Sequence, residues 1–193
     1  MLTYMGFRAA VLALAVAVSP AVLATAHPHV FVDISVGVRF GDHGLDGIHL
    51  AWEFDPPHSA FLLYSFGDGG AFSSRAVQEM EQQHVRATQP LGFYLDVRAN
   101  DAPVPVTTLR DFTARVERAR VTYAFTVPVS PPPSSEGVVQ INLVDPGDFT
   151  AFTLMEPVLV ETSGPYRVEC RLARDPATRR PEGIRCEYRR SDR

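Results

Sequence analysis

Lysine is missing from this chain altogether: all 18 basic side chains are arginine. Chemistry that needs a lysine amine, such as a Schiff base or the lysine of a phosphate-binding loop, is therefore excluded. Cysteine is scarce too, with Cys170 and Cys186 the only two. No HExxH helix, Gly-x-Ser-x-Gly elbow or glycine-rich phosphate loop occurs, so no catalytic residue is assigned and an enzyme is not expected. Nor is there a block of clustered positive charge. A chain of net charge −4 without one is a poor ligand for nucleic acid, whose phosphates demand it.

What is present begins with a leader. Arg8 precedes an apolar run from Ala9 to Val18, Pro20 interrupts it, and Ala24-Thr25-Ala26 has the small-x-small pattern that signal peptidase accepts. A run of about ten residues is half of what a membrane anchor needs, and nothing later approaches that length. Residues 1–26 are thus expected to be a cleaved secretory signal, and residues 27–193 a single β-rich domain without a membrane span. Arg8 leaves with the signal, so 17 of the 18 basic side chains face 22 acidic ones. Export to an oxidising, periplasm-like compartment predicts a Cys170–Cys186 disulfide. A thiolate metal site is the alternative, but the spacing lacks CxxC geometry. Closing so short a loop contributes roughly 3 kcal/mol in the chain-entropy account.

Hydrophobic periodicity places the elements. Val30, Val32, Ile34, Val36, Val38 and Phe40 alternate with other residues, Gly41-Asp42-His43-Gly44 turns the chain, and Ile48, Leu50, Trp52 and Phe54 alternate again. This is an antiparallel hairpin with one face in the core, Trp52 included, ended by Asp55-Pro56-Pro57. Ser59 to Phe66 reads as a short helix, and Ser73 or Ser74 caps another running to about Ala87. Strands return with Phe93, Leu95 and Val97. A second hairpin turns at Glu117-Arg118-Ala119-Arg120, and Val138 to Val144, Val158 to Glu161, Tyr166 to Leu172 and Ile184 to Tyr188 follow. The fold class is α+β, predominantly antiparallel β and sandwich-like, with one or two short helices between the first hairpin and the later strands.

Cleavage after Ala26 would make His27 the first residue, offering an α-amine and an imidazole, with His29 on the same side of an extended chain. Pro28 restricts both neighbouring backbones and has no amide proton to lose. The square-planar site built from successive backbone nitrogens is therefore closed, leaving an amine-plus-imidazole chelate with His29 and a further ligand. Such nitrogen donors suit Zn(II), Ni(II) or Cu(II). Second-tier candidates are Asp33 and His49, His49 on the non-core face of the second strand across from His29 and Asp33, and His58 beyond the proline pair. His43 and His84 read as solvated. Asp145-Pro146-Gly147-Asp148 has turn chemistry as well as carboxylates. Gly67-Asp68-Gly69-Gly70 lacks the alternating acids and closing Glu of a calcium loop.

Ala26 to Asp33 (Ala-His-Pro-His-Val-Phe-Val-Asp), Trp52-Glu53-Phe54-Asp55, Ser59-Ala60-Phe61-Leu62, Val144-Asp145-Pro146, Phe149 and Ala151-Phe152-Thr153 together resemble the DUF1007 family of periplasmic proteins. The resemblance runs from about His27 to Val160. It implies an association with ABC-type or nickel, cobalt and zinc transport systems, and makes Asp55 and Asp145 the preferred further ligands beside His27 and His29. The acidic, calcium-loop-like segment common in such proteins is reduced here to Phe66-Gly67-Asp68-Gly69-Gly70.

The function expected is a periplasmic accessory protein that binds a transition-metal ion, Zn favoured over Ni, Co or Cu, and serves an inner-membrane metal permease. Two alternatives differ in class. A metal-free β-rich subunit would dock on a transporter. A copper-dependent oxidase would use the terminal histidine chelate, but also needs a second histidine across the site and a substrate surface.

Overall fold

A computed structural model describes residues 28–174, 177 and 181–191 of the chain. The expected signal segment and His27 lie outside the described residues.

The first hairpin forms as the alternation predicts. Strands β1 (Val30–Gly41) and β2 (Gly44–Phe54) pair antiparallel around Asp42-His43, and their apolar positions are buried, Ile34, Phe40, Ile48 and Leu50 completely. Asp55 then starts helix α1 (Pro56–Phe66) as its N-cap, its carboxylate accepting from the His58 N–H at 2.9 Å. The proline pair thus opens a helix as well as closing a strand. Proline costs nothing in a first turn, where N–H groups have no intrahelical acceptor. The short pair β3 (Gly67–Asp68) and β4 (Ala71–Phe72) leads to helix α2 (Ser74–Met80), which Ser73 caps by accepting from Ala76 N–H.

The second helix departs from its expected course. It is α-helical only to Met80, Glu81–Val85 form a π-helical turn, and Arg86–Tyr94 continue as 3₁₀ turns. That segment ends in left-handed backbone at Gly92, Phe93 and Tyr94, with φ of 61°, 55° and 63°. A non-glycine residue there costs roughly 1–2 kcal/mol. Complete burial of Phe93, with its ring centroid 6.3 Å from that of Phe125, offsets this. The strand read as beginning near Leu91 therefore starts at β5 (Leu95–Ala99).

The remaining strands are β6 (Ala102–Pro103), β7 (Arg110–Glu117), β8 (Arg120–Pro128), β9 (Glu136–Leu143), β10 (Thr150–Leu154), β11 (Leu159–Thr162), β12 (Tyr166–Arg174) and β13 (Pro181–Arg190). One sheet has the order β10-β1-β2-β8-β7, with β11 also on β1, and the other has the order β12-β13-β9-β5-β6. The two sheets bury their inner faces against one core, Phe40 of one meeting Tyr188 of the other at 5.3 Å. The α+β sandwich is as expected. Strand β10 is too short and mixed to show in the alternation; it and β11 lie end to end along β1, both parallel to it. Cys170 and Cys186 sit directly opposite each other on β12 and β13 and are joined by a disulfide. Among the described residues no helix is long and apolar enough to cross a membrane.

Helix α1 is clasped to the first sheet by one buried hydroxyl. Ser59 Oγ donates to the Phe54 carbonyl (3.1 Å) and accepts from the Val121 N–H (3.0 Å). Ser59→Ala leaves that buried N–H without an acceptor and should lower unfolding free energy by about 1–3 kcal/mol in chemical denaturation. An unchanged midpoint would mean that the clasp contributes nothing.

Candidate functional site

The amino-terminal end of the sandwich carries a cavity of about 180 Å³ between helix α1, the π-helical turn and the ends of β1, β2 and β10. Its walls are mostly apolar and aromatic, among them Val30, Trp52, Phe54, Phe61 and Phe149, with His58, His84, Tyr94, Tyr123, Thr88 and Thr150 as the polar members.

His58 stands on the first turn of helix α1, its ring 4.9 Å from that of Phe54 and 5.8 Å from that of Phe61. Burial holds its pKa below the ordinary imidazole value, against the opposing pull of the Asp55 carboxylate. The loop histidine expected from sequence is in fact half-buried. His84 is the larger correction. The expected helix leaves it on a solvated face, but the π-helical turn changes the register, and its Nδ1 meets the Tyr123 hydroxyl at 2.9 Å. Its ring lies edge-on to Phe66 at 5.3 Å. Burial, and then the nearby His58, lower its pKa. Tyr123 is held far above the ordinary phenol range by burial, and Tyr94 is raised by burial and by the Asp145 charge. The phenols are thus neutral, and so are both imidazoles at neutral pH. Neutral imidazole is the form that ligates metal.

The other sequence candidates divide between this pocket and elsewhere. His29 reaches its lip: the amide of His29 donates to Phe149 O at 2.8 Å, and the two rings are 5.0 Å apart. Asp55 lies behind the pocket as the helix cap. Asp145 uses both carboxylate oxygens on backbone, Oδ1 accepting from Gly147 N–H (2.9 Å) and Oδ2 from Thr150 N–H (2.8 Å), so its turn role is plain. Asp33 and His49 share the outer face of the hairpin but are four positions apart along it. A bulge between Arg39 and Phe40 sets the register, which pairs Asp33 with Glu53 and His49 with Gly37. Asp33 and Glu53 flank the Arg120 guanidinium at 3.6 and 3.4 Å, and His49 Nδ1 is 3.4 Å from Thr126 Oγ1. Among the described residues no group of three or more His, Cys, Asp or Glu side chains is placed to hold an ion by itself.

One wall carries an unexplained polar atom. Trp52 is 4% exposed, and its indole Nε1 is buried without a hydrogen-bond partner, the only such side-chain atom among the described residues. Two further depressions lack the pocket's character. One is a groove over Gly37 and Gly47 beside His49. The other lies on the outer face of β12 and β13, where arginine and glutamate pair with each other, Arg171 with Glu187 and Arg189 with Glu136, both at 3.2 Å.

A family model described as a protein of unknown function (DUF1007) matches residues 11–185. No curated protein matches the chain. Among solved structures the chain is similar to AChBP from Bulinus truncatus, at a TM-score of 0.43 and 9% identity, over 95% of this chain and 99% of that one.

The lowered imidazole pKa values give stability a definite pH dependence. Below about pH 6.5 the unfolded chain takes up protons that His58 and His84 resist in the folded state, so stability falls with pH. The melting temperature should decline from about pH 7.5 to about pH 5.5, and more gently in a His58→Gln/His84→Gln variant. Equal slopes would show that these imidazoles titrate alike in both states.

Proposed function

The chain belongs to the DUF1007 family, and from that membership and the pocket at its amino-terminal end we propose that it is a periplasmic metal-capture protein. It binds a transition-metal ion at the mature His27-Pro28-His29 terminus and serves a metal permease, with Zn(II) the favoured cargo ahead of Ni(II), Co(II) or Cu(II). The observation that carries this reading is the anchoring of His29. Its amide donates to the carbonyl of Phe149, a residue of the pocket wall, at the same end of the sandwich as His58 and His84. Nitrogen donors around an apolar cavity suit borderline metals and not calcium or magnesium, which want oxygen. The disulfide supports an oxidising compartment. The link to a permease rests on the association that the family resemblance implies.

A second reading, a metal-free docking subunit, draws on the exposure of Phe31, Phe61 and Tyr64 near the same end. Retention of full metal uptake in cells whose protein carries His27→Ala and His29→Ala would favour it.

Intact mass of the exported protein should give a chain beginning at His27. Calorimetric titration of that metal-free chain with Zn(II) should show one tight site, weakened at least about tenfold by one extra residue before His27. Binding indifferent to that residue would remove the α-amine from the site.

A further inference from the structure

We infer that the outer edge of β12 is where a second copy of this chain docks. The two β12 strands pair antiparallel and join their sheets across a two-fold axis at Cys170.

Strand β12 stands at the end of its sheet, so among the described residues no strand lies on one side of its nine residues. Its outward side chains Arg167, Glu169 and Arg171 are all exposed. The register on β13 sets each opposite its own sign: Arg167 faces Arg189, Glu169 faces Glu187, and Arg171 faces Arg185. Like charges directly opposite each other destabilise a sheet. Diagonal contacts offset this only in part. Glu187 takes both Arg171 (3.2 Å) and Arg185 (3.3 Å), and Arg189 goes to Glu136 (3.2 Å). Glu169 has no ion-pair partner among the described residues.

A second copy supplies what is missing. A closed dimer contact uses the same surface twice, and identical strands running antiparallel meet that condition. Strand β12 runs from Tyr166 to Arg174, so pairing about its midpoint, Cys170, uses the whole strand. Arg171 of each copy then faces Glu169 of the other. Each row across the seam sets Arg185 and Arg171 against Glu169 and Glu187, two positive charges meeting two negative. Other registers do worse. Pairing about Glu169 opposes it to itself and Arg167 to Arg171, and pairing about Arg171 opposes that arginine to itself. Pairing about Val168 matches charge but sets Arg171 opposite Pro165, beyond the strand and without an N–H to give.

The midpoint register also brings Val168 to Leu172 on the inner face, continuing its apolar side. The Cys170–Cys186 disulfide fastens β12 to β13 at this same midpoint, so the edge is presented as a held strand. Charge on an edge strand ordinarily wards off other strands. Here the alternation of sign rejects most edges and accepts its own. Nine residues a side fall short of a standard interface, so the dimer forms reversibly.

Sedimentation equilibrium of the mature chain, over a range of protein concentration and at low and high salt, tests this. The mass should rise toward that of two chains and fall back in salt, which screens exposed charges. Glu169→Arg alone and Arg171→Glu alone each set like charges across the seam and should weaken association at least about tenfold. The double variant Glu169→Arg/Arg171→Glu exchanges the signs and should restore it, a rescue that damage to the fold would not give. A chain still monomeric at about 1 mM overturns the inference. So does a dimer indifferent to both single reversals, or one that the exchange of signs does not restore.

Discussion

Three elements meet at the carbonyl of Phe54. It ends β2, accepts the buried Ser59 hydroxyl from helix α1, and accepts the Nε of Arg120 at the start of β8. Arg120 in turn lies between Asp33 of β1 and Glu53 of β2. A buried carbonyl with two donors is well satisfied, and the donors come from parts of the chain far apart in sequence. This junction fixes the angle at which helix α1 leaves the sheet. His58 precedes Ser59, so its position is set by the same bond. Without the clasp, the pocket would lose both the helix that roofs it and one of its two imidazoles.

The sandwich was readable because its signal is redundant. In β1 six alternate positions, Val30 to Phe40, agree on one buried face, and no single substitution could hide such a pattern. Cys170 and Cys186 were paired correctly by counting alone, and their strands place them opposite each other. The site was readable only where it depends on local chemistry. Asp55, read as a strand end and a ligand candidate, is a helix cap that its proline pair could have signalled. His84 carries no such signal, because one widened helical turn shifts a side chain from the solvent face to the interior, and such a turn has no composition of its own. Tyr94 is hidden for a related reason: its left-handed backbone is imposed by the burial of Phe93 and not by any local preference. Asp33 and His49 share the outer face of the hairpin as the alternation implies, while the register that pairs them with Glu53 and Gly37 is not written in that alternation.

The pocket joins two requirements that normally conflict. It presents lone pairs, and an apolar cavity disfavours polar groups without partners. Neutral imidazoles and phenols reconcile them, because they carry donor atoms without a charge to desolvate. Burial keeps them neutral, and their mutual contacts, Tyr123 on His84 above all, keep them satisfied. The carboxylates of this region, Asp55 and Asp145, are spent on backbone N–H groups and shape the loops that surround the cavity.

The parallel strands on β1 bear on the order in which the molecule can be completed. Val30 pairs with Thr150 and Phe40 with Thr162, so the strand made first waits for partners more than a hundred residues later. Such long-range pairing slows folding and leaves a β-prone edge uncovered meanwhile, a hazard for aggregation. It also ties the pocket to the finished chain, since Phe149 and Thr150 close the wall that Val30 and Val32 begin. A truncated or half-folded molecule, lacking β10 on β1, has no such enclosure.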